Sequence, residues 1–325
     1  ALWNPKNGAW SKKVMDAISP YLQNKIPPLK PSDQSIGFIG KTLAEKYGFD
    51  ASCRIDAGCG DNMYGAVGTG NVTPGVVTIS LGTSGTAYTY LEDAYIDPSG
   101  EIAAFCDSTG AHLPLLCVSN LANGYNDILR KYDISHSEFV VLVNTVPVGN
   151  EGRFLIPWYM GERTPDVPHA APIYFGFGID DFSKENLCRA VLEGHILNLF
   201  DGFQKMPVNP TEIRLTGGLS QSVAWRQTIA DVFETDVIPV EGEGAALGAA
   251  LHAAWVWSKE TGDQRSLADV VEPFVVLLED KRCTPIADNV AVYKKAKKLF
   301  SALSKRVRGF KSQDDPFLER ATMLS

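Results

Sequence analysis

The sequence has no clustered cysteines, no long apolar run and no excess of positive charge. Its six cysteines are scattered without a Cys-x-x-Cys pair, which argues against a zinc site or a disulfide framework and favours a reducing, cytoplasmic location. No apolar run approaches the length of a membrane span. With 30 basic and 38 acidic side chains the net charge is −8, so the composition gives no general attraction to nucleic acid or to an anionic membrane.

Low-complexity segments and internal repeats are also missing from the 325 residues. Hydrophobic residues make up 45% and charged residues 21%, values typical of a globular protein. The length is large for a single domain. We therefore expect one large domain with a smaller piece beside it.

The clearest local pattern is a β-rich run over residues 76–90, interrupted by Gly82-Thr83-Ser84-Gly85. Two glycines allow a sharp bend that exposes backbone N–H groups, and the two hydroxyls add donors at the same place. The turn is therefore suited to phosphate. Considered alone, such a turn is more often a plain β-hairpin.

A second pattern, over residues 56–70, places Asp61 between glycines and a helix of small residues. An Asp at the start of a helix is most often an N-cap. The alternative is a general base at a cleft, near the end of a helix that attracts anions. The segment by itself leaves both interpretations open.

Two strand–turn–helix units follow later in the chain. A strand at 212–216 leads through Gly217-Gly218 into a helix at 220–233, and a strand at 236–240 leads into a helix of small residues from 245. Glycine turns at the carboxyl ends of strands are where α/β proteins hold nucleotides. His195 lies in a predicted helix over 184–204 without a second His or Cys at metal spacing, so we expect it to be a packed or a surface residue rather than a metal ligand.

Between the hairpin and these units the sequence predicts further strands at 102–107 and 113–118 and a helix at 121–132, which Ser119, Asn120 or Asn123 could cap so that its N-terminus faces an anion. In chain order the hairpin, this third strand region, the helix and the two strand–helix units read β-β-β-α-β-α-β-α, an α/β pattern typical of one lobe of the actin-like, ribonuclease-H-like ATPases. The chain resembles the C-terminal part of the FGGY family of carbohydrate kinases, and within it the xylulokinase branch. Five motifs carry the resemblance, at residues 58–62, 80–85, 161–165, 215–218 with 225–227, and 243–250.

The resemblance implies ATP-dependent phosphorylation of a sugar hydroxyl, with Mg²⁺ as the metal ion. Asp61 would be the base that accepts the sugar's proton, and Asn62 would lie beside the sugar. The residues implied to bind ATP are Gly82, Thr83 and Ser84 at the β- and γ-phosphates, and Gly217, Gly218 and Ser222 at the adenosine and α-phosphate. D-xylulose is the expected substrate, with ribulose, other ketoses, polyols and gluconate left open.

The resemblance also implies two domains. Residues 1–72 would be the tail of an N-terminal sugar-binding lobe, including the Asp61 motif, and residues 73–325 would be the ATP-binding domain. No Asp-x-Gly-Thr/Ser phosphate loop precedes residue 56. We therefore expect weak nucleotide binding and poor turnover unless a first lobe, or a partner copy in a homodimer, completes the cleft.

Two departures and two alternatives remain. Leu219-Ser220-Gln221 stands where the family usually has glycine-alanine-lysine, so the resemblance implies no side-chain contact to phosphate there. The family's pattern near the middle of the chain also has a glycine part, which residues 174–179 match imperfectly.

The chain could instead be a non-catalytic nucleotide- or partner-binding module. The basic segment at 294–311 could bind nucleic acid, but its apolar spacing favours an amphipathic helix with a solvated face.

Overall fold

A computed structural model describes residues 2–242, 244–311 and 314–325, so Glu243 of the last motif lies outside the described residues. The strands are Trp3–Asn4 (β1), Ala9–Trp10 (β2), Ser35–Phe38 (β3), Arg54–Asp56 (β4), Val76–Leu81 (β5), Gly85–Thr89 (β6), Ala103–Cys106 (β7), His112–Val118 (β8), Phe154–Ile156 (β9), Ile173–Phe175 (β10), Glu212–Thr216 (β11) and Val237–Pro239 (β12). The α-helices are Lys12–Ile18 (α1), Lys41–Tyr47 (α2), Asp61–Gly68 (α3), Ala122–Tyr132 (α4), His136–Asn144 (α5), Lys184–Phe203 (α6), Val223–Phe233 (α7), Gly244–Glu260 (α8), Leu267–Val271 (α9), Ala287–Val307 (α10) and Pro316–Leu324 (α11).

A six-stranded mixed sheet in the order β12-β11-β5-β6-β8-β7 forms the centre of the molecule. Strands β12, β11 and β5 are parallel, and β6, β8 and β7 continue the sheet in antiparallel steps. The pair Leu81 and Gly85 closes the β5–β6 hairpin. The predicted order of a hairpin, a third strand region, a helix and two strand–helix units is therefore confirmed, with β7 and β8 forming the third region.

Helix α6 runs through the core rather than along its surface. The spacing of apolar residues predicts one core-facing side, but the helix is buried on nearly every side from Leu187 to Leu199. His195 is fully buried within it, as expected for a packed residue. The apolar run at 154–160 also differs from the prediction, because only Phe154–Ile156 is strand.

The helices made of small residues, α3 and α8, pack on each other. A Cβ atom at Gly248 would lie 1.8 Å from the carbonyl oxygen of Tyr64, and one at Gly68 would lie 1.7 Å from that of Gly244. No side chain fits at such distances, so glycine is what allows the two backbones to touch. Sequence reasoning predicts close packing here but places α8 against the sheet, whereas its partner is α3.

A buried polar network then joins the end of α3 to the central sheet. The Asn71 amide donates to the carbonyl of Tyr88 at 2.9 Å and to Thr78 Oγ1 at 3.2 Å, and Asn71 Oδ1 accepts from the Tyr90 N–H. The Thr69 and Thr78 hydroxyls are 2.8 Å apart. Helix α3 is thus fixed along its side by α8 and at its end by β5 and β6.

The segment before α3 carries two small two-stranded sheets, β1–β2 and β3–β4. The predicted helix over residues 11–22 is shorter in the structure, where α1 covers Lys12–Ile18, while α2 ends at Gly48 as predicted. Several large apolar side chains in this segment are exposed: Ile18, Tyr21, Ile36, Phe38, Leu43, Tyr47 and Phe49. Within the described ranges, no helix combines the length and apolar character needed to cross a membrane.

Candidate active site

The largest cleft near the predicted residues lies at the carboxyl ends of β5 and β11 and has a volume of about 730 Å³. Four of the residues expected to bind ATP line this cleft together: Gly82, Thr83, Gly218 and Ser222. They come from two turns that are more than 130 residues apart in the chain, so only the folded sheet brings them together. Ser84 is exposed on the same turn as Thr83 but is not among the lining residues.

The start of helix α4 fixes the conformation of the turn at Gly82 and Thr83. The Leu121 N–H donates to the carbonyl of Thr83 at 3.1 Å, and the Ala122 N–H donates to the carbonyls of both Gly82 and Thr83 at 3.3 Å. Sequence reasoning predicts that Ser119, Asn120 or Asn123 caps this helix and that its N-terminus faces an anion. The structure differs, because Leu121 occupies the N-cap position without a side-chain bond and the first N–H groups bind the turn.

The turn after β11 depends on the lack of a side chain at Gly217. This residue has φ +85°, and a Cβ atom there would lie 2.6 Å from the carbonyl oxygen of Leu81. Gly218, by contrast, faces open space. Ser222 stands at the N-cap position of α7 without making a capping bond, and its buried hydroxyl has no hydrogen-bond partner among the described residues.

Asp61 lies in a smaller neighbouring pocket of about 290 Å³. Gly60 occupies the N-cap position of α3 and Asp61 is the first helical residue, so the N-cap interpretation of Asp61 is wrong. One carboxylate oxygen accepts from the N–H of Asn62 at 2.8 Å, and the side chain remains exposed. The pocket is lined by Asp61, Asn62, Gly65, Thr69, Ser80, Tyr88, Thr216, Gly217, Gly242, Gly244 and Ala245.

Tyr88 lines the same pocket as Asp61. Its hydroxyl packs over Gly65, where a Cβ atom would lie 2.9 Å from it. Burial, and then the nearby negative charge of Asp61, raise the pKa of Tyr88 well above its usual range. Tyr88 is therefore a neutral phenol at physiological pH.

The two pockets adjoin at the Gly217–Gly218 turn and at the end of β5, where Ser80 lines the smaller pocket and Leu81 the larger cleft. Gly217 lines the pocket that contains Asp61, and Gly218 lines the larger cleft. An elongated ligand in the larger cleft would therefore reach toward Asp61 at this turn. All the predicted site residues except Ser84 line one of these two neighbouring openings.

Sequence reasoning missed the far wall of the larger cleft, which helices α4 and α5 supply. The Tyr125 hydroxyl lies 2.6 Å from Nδ1 of His136, the two rings stack, and burial raises the pKa of Tyr125 to about 12. The start of α5 was visible in the sequence as a capping box, in which Ser135 and Glu138 satisfy each other's backbone N–H groups. Nothing local shows that α5 reaches the turn at Gly82.

Across residues 2–242, 244–311 and 314–325, no group of three or more His, Cys, Asp or Glu side chains could hold a metal ion. Asp61 is the carboxylate among the residues that line the two openings. Any ion in this site would need most of its ligands from the bound molecule.

Comparison with known proteins agrees with this geometry. Residues 119–257 match the C-terminal domain of the FGGY family of carbohydrate kinases. A xylulose kinase of Haemophilus influenzae is 35% identical over 293 residues, which cover 88% of this chain and 58% of that protein. The chain thus spans less than two thirds of the length of this relative.

Solved structures show the same fold. A ligand-bound xylulose kinase from Lactobacillus acidophilus has a TM-score of 0.85 at 23% identity, covering 95% of this chain and 62% of that one. A Plasmodium falciparum glycerol kinase with ADP has a TM-score of 0.75 at 16% identity, covering 96% and 62% respectively. With its sheet order, its glycine turns and its sequence relatives, the chain belongs to the FGGY family of carbohydrate kinases.

Proposed function

We propose that this chain forms the nucleotide-binding part of a kinase that phosphorylates a sugar hydroxyl. The observation that carries the proposal is the pair of adjoining openings at the Gly217–Gly218 turn, one lined by the glycine turns and the other containing Asp61. The larger cleft holds ATP, with Gly82, Thr83 and Ser84 at the β- and γ-phosphates. Gly217, Gly218 and Ser222 lie along the adenosine and α-phosphate.

The orphaned Ser222 hydroxyl and the apolar wall of the cleft support this orientation of the nucleotide. A buried hydroxyl without a partner costs free energy, which a ligand acceptor would recover. Tyr125, Val140, Leu219 and Val223 also line the larger cleft and offer apolar surface to a base. The β- and γ-phosphates then lie at Gly82, where the end of β5 borders both openings, because Ser80 lines the pocket that contains Asp61 and Leu81 lines the larger cleft.

In the proposed reaction Asp61 accepts the proton of the sugar hydroxyl while the hydroxyl oxygen attacks the γ-phosphorus. The bond from that phosphorus to the bridging oxygen breaks, and ADP leaves with the electron pair. Asn62, next to Asp61 on α3, donates a hydrogen bond to the sugar. Phosphoryl transfer depends mostly on positioning and on stabilising charge, and this arrangement supplies one base and several backbone donors.

Mg²⁺ belongs to the same proposal. This ion is usually held by one or two carboxylates together with nucleotide phosphates. The smaller pocket has a single carboxylate, Asp61, among polar side chains that include Ser80 and Thr216. These groups fit an ion that enters with the nucleotide and are too few for a metal site of their own. Bound there, the ion would neutralise phosphate charge.

For the substrate we propose D-xylulose, giving D-xylulose 5-phosphate. The proposal rests on the xylulose kinase relative at 35% identity. We also propose that residues 1–72 belong to a sugar-binding lobe, with residues 73–325 as the ATP-binding domain. Ribulose, other ketoses, polyols and gluconate form the comparison panel for any activity measurement.

Calorimetric titration of Mg-ADP tests the nucleotide site. A Gly218→Asp variant adds a negative charge to the cleft wall at a position where a Cβ atom meets nothing within 4 Å, so the fold should tolerate it. Gly40→Asp adds the same charge at another open glycine, at the start of α2. Saturable binding that Gly218→Asp abolishes and Gly40→Asp preserves supports the proposal, whereas an absence of binding by the unmutated chain contradicts it.

Sugar-dependent ADP release tests the chemistry. In a form that carries the first lobe, the Asp61→Asn variant should lose sugar-dependent release while keeping its affinity for metal-free ADP, because Asp61 lies outside the larger cleft. The exposed apolar side chains before α3 favour a second candidate, a non-catalytic nucleotide- or partner-binding module. Equal behaviour of Asp61→Asn and the unmutated chain in every assay would favour that second candidate.

A further inference from the structure

We infer that Glu162 is a positioning residue for the phosphate-binding turn, although it touches neither opening of the site. Its side chain is 3% exposed. The motif that contains it, at residues 161–165, has no part in the proposed reaction. The inference rests on the proposed function, because it treats the turn at Gly82 and Thr83 as a phosphate site.

The Glu162 carboxylate is the centre of a buried hydrogen-bond network. Oε1 accepts from the N–H groups of Ser119 and Arg163. Oε2 accepts from the backbone N–H of Asn120 at 3.4 Å, from its side-chain amide at 3.1 Å and from the amide of Asn198 at 3.4 Å. These donors satisfy the carboxylate and hold the chain between β8 and α4 in one conformation.

This network fixes where helix α4 begins. Ser119 and Asn120 immediately precede Leu121 and Ala122, whose N–H groups bind the carbonyls of Gly82 and Thr83. Glu162 is therefore connected to the turn by two consecutive sets of hydrogen bonds. A shift of the 119–120 segment would move the helix start and release the turn.

The hydrogen bonds from α4 to the carbonyls of Gly82 and Thr83 determine the direction of the N–H groups that follow them, and these N–H groups could bind an anion. In a planar trans peptide the C=O and the following N–H point in opposite directions. Because the carbonyls of Gly82 and Thr83 face α4, the N–H groups of Thr83 and Ser84 point away from it. No hydrogen bond to either N–H is found among the described residues. Two neighbouring free N–H groups form a concave site suited to a phosphate oxygen.

Glu162→Gln tests the inference with little change in shape. The amide replaces an acceptor oxygen with an NH₂ group that faces N–H donors, so the 119–120 segment should lose its fixed position. The matched control is Glu193→Gln, another fully buried carboxylate that accepts from the Gly149 N–H at 2.8 Å. The partners of Glu193, which are Gly149, Arg189 and Tyr293, line neither opening.

Each protein is titrated with Mg-ADP and, separately, with adenosine, which has no phosphate. We expect Glu162→Gln to weaken ADP binding about tenfold, as for a weakened charged hydrogen bond, and to leave adenosine affinity unchanged. Glu193→Gln should lower the melting temperature without this selectivity. A general loosening of the fold would instead weaken both ligands together.

The outcomes separate the two proposals. If the unmutated chain binds neither ligand, the proposed function and the role of Glu162 both fail. If it binds ADP, and Glu162→Gln binds ADP equally well or loses both ligands to the same extent, only the role of Glu162 is overturned. Should Glu162→Gln not fold, Asn120→Ala removes one donor to the carboxylate and should show a smaller loss with the same preference for ADP.

Discussion

Gly248 of α8 lies against the backbone carbonyl of Tyr64 in α3, so closely that a Cβ atom on the glycine would be 1.8 Å from that oxygen. The contact sets the position of α3 and hence of Asp61 at its first turn. Alanine is otherwise favoured over glycine in a helix by about 1 kcal/mol. Gly248→Ala should nevertheless destabilise the chain by about 1–3 kcal/mol, because the helices must separate.

Urea unfolding measures this effect. Gly218→Ala is the control, since that glycine has open space around it and no positive φ, and it should change the free energy of unfolding by less than about 0.5 kcal/mol. A Gly248→Ala protein as stable as the unmutated one would contradict the close approach of the two helices.

Gly217 differs from its neighbour Gly218 in both conformation and contact. Its φ is +85°, and a Cβ atom added there would lie 2.6 Å from the carbonyl oxygen of Leu81. For both reasons Gly217→Ala should lower the free energy of unfolding by about 2–4 kcal/mol. The same unfolding experiment, run on the two adjacent alanine variants, gives the comparison. Similar stabilities for the pair would show that the turn is less constrained than the structure indicates.

Asn71 should be essential for holding the end of α3 on the sheet. Asn71→Ala leaves the Tyr90 N–H and the Tyr88 carbonyl without their buried partner, which should cost about 1–3 kcal/mol in the free energy of unfolding. Asn209→Ala, at an exposed asparagine, is the control. An Asn71→Ala protein no less stable than that control would mean that the network does not anchor α3.

Local patterns predicted much of this fold because several elements carry their own signals. The β5–β6 hairpin follows from an alternating run around Gly82–Gly85, and β11 is predicted at its exact bounds, Glu212–Thr216. Helix α2 begins and ends where its glycines indicate. Such signals act over a few residues, so one sequence is enough to show them.

The parts of the site that sequence reasoning missed are tertiary. Glu162 accepts a hydrogen bond from Ser119, 43 residues earlier in the chain, and α5 reaches the cleft only because the core places it there. The core surrounds helix α6, so its sequence lacks the polar side from which the orientation of a surface helix can be predicted. Neither the spacing nor the composition of the sequence predicts which distant backbone groups a side chain will contact.

The buried imidazole of His195 should make the stability of the chain depend on pH. Its Nδ1 lies 2.6 Å from the carbonyl oxygen of Val191, and burial lowers its pKa from 6.5 to about 4. At a pH between these two pKa values, the imidazole of His195 is protonated in the unfolded chain and neutral in the folded chain. The free energy of unfolding therefore falls as the pH falls. The contribution of His195 between pH 7 and pH 5 should be about 2 kcal/mol.

Urea unfolding at pH 7 and pH 5 checks this for three proteins: the unmutated chain, His195→Gln and His169→Gln. His195→Gln should remove about 2 kcal/mol of the difference between the two pH values, whatever its absolute stability. His169 is exposed, so its replacement should leave the difference unchanged. If the difference between the two pH values is the same in His195→Gln as in the unmutated chain, the folded imidazole takes up a proton as readily as the unfolded one. That result would contradict the burial of His195 in α6.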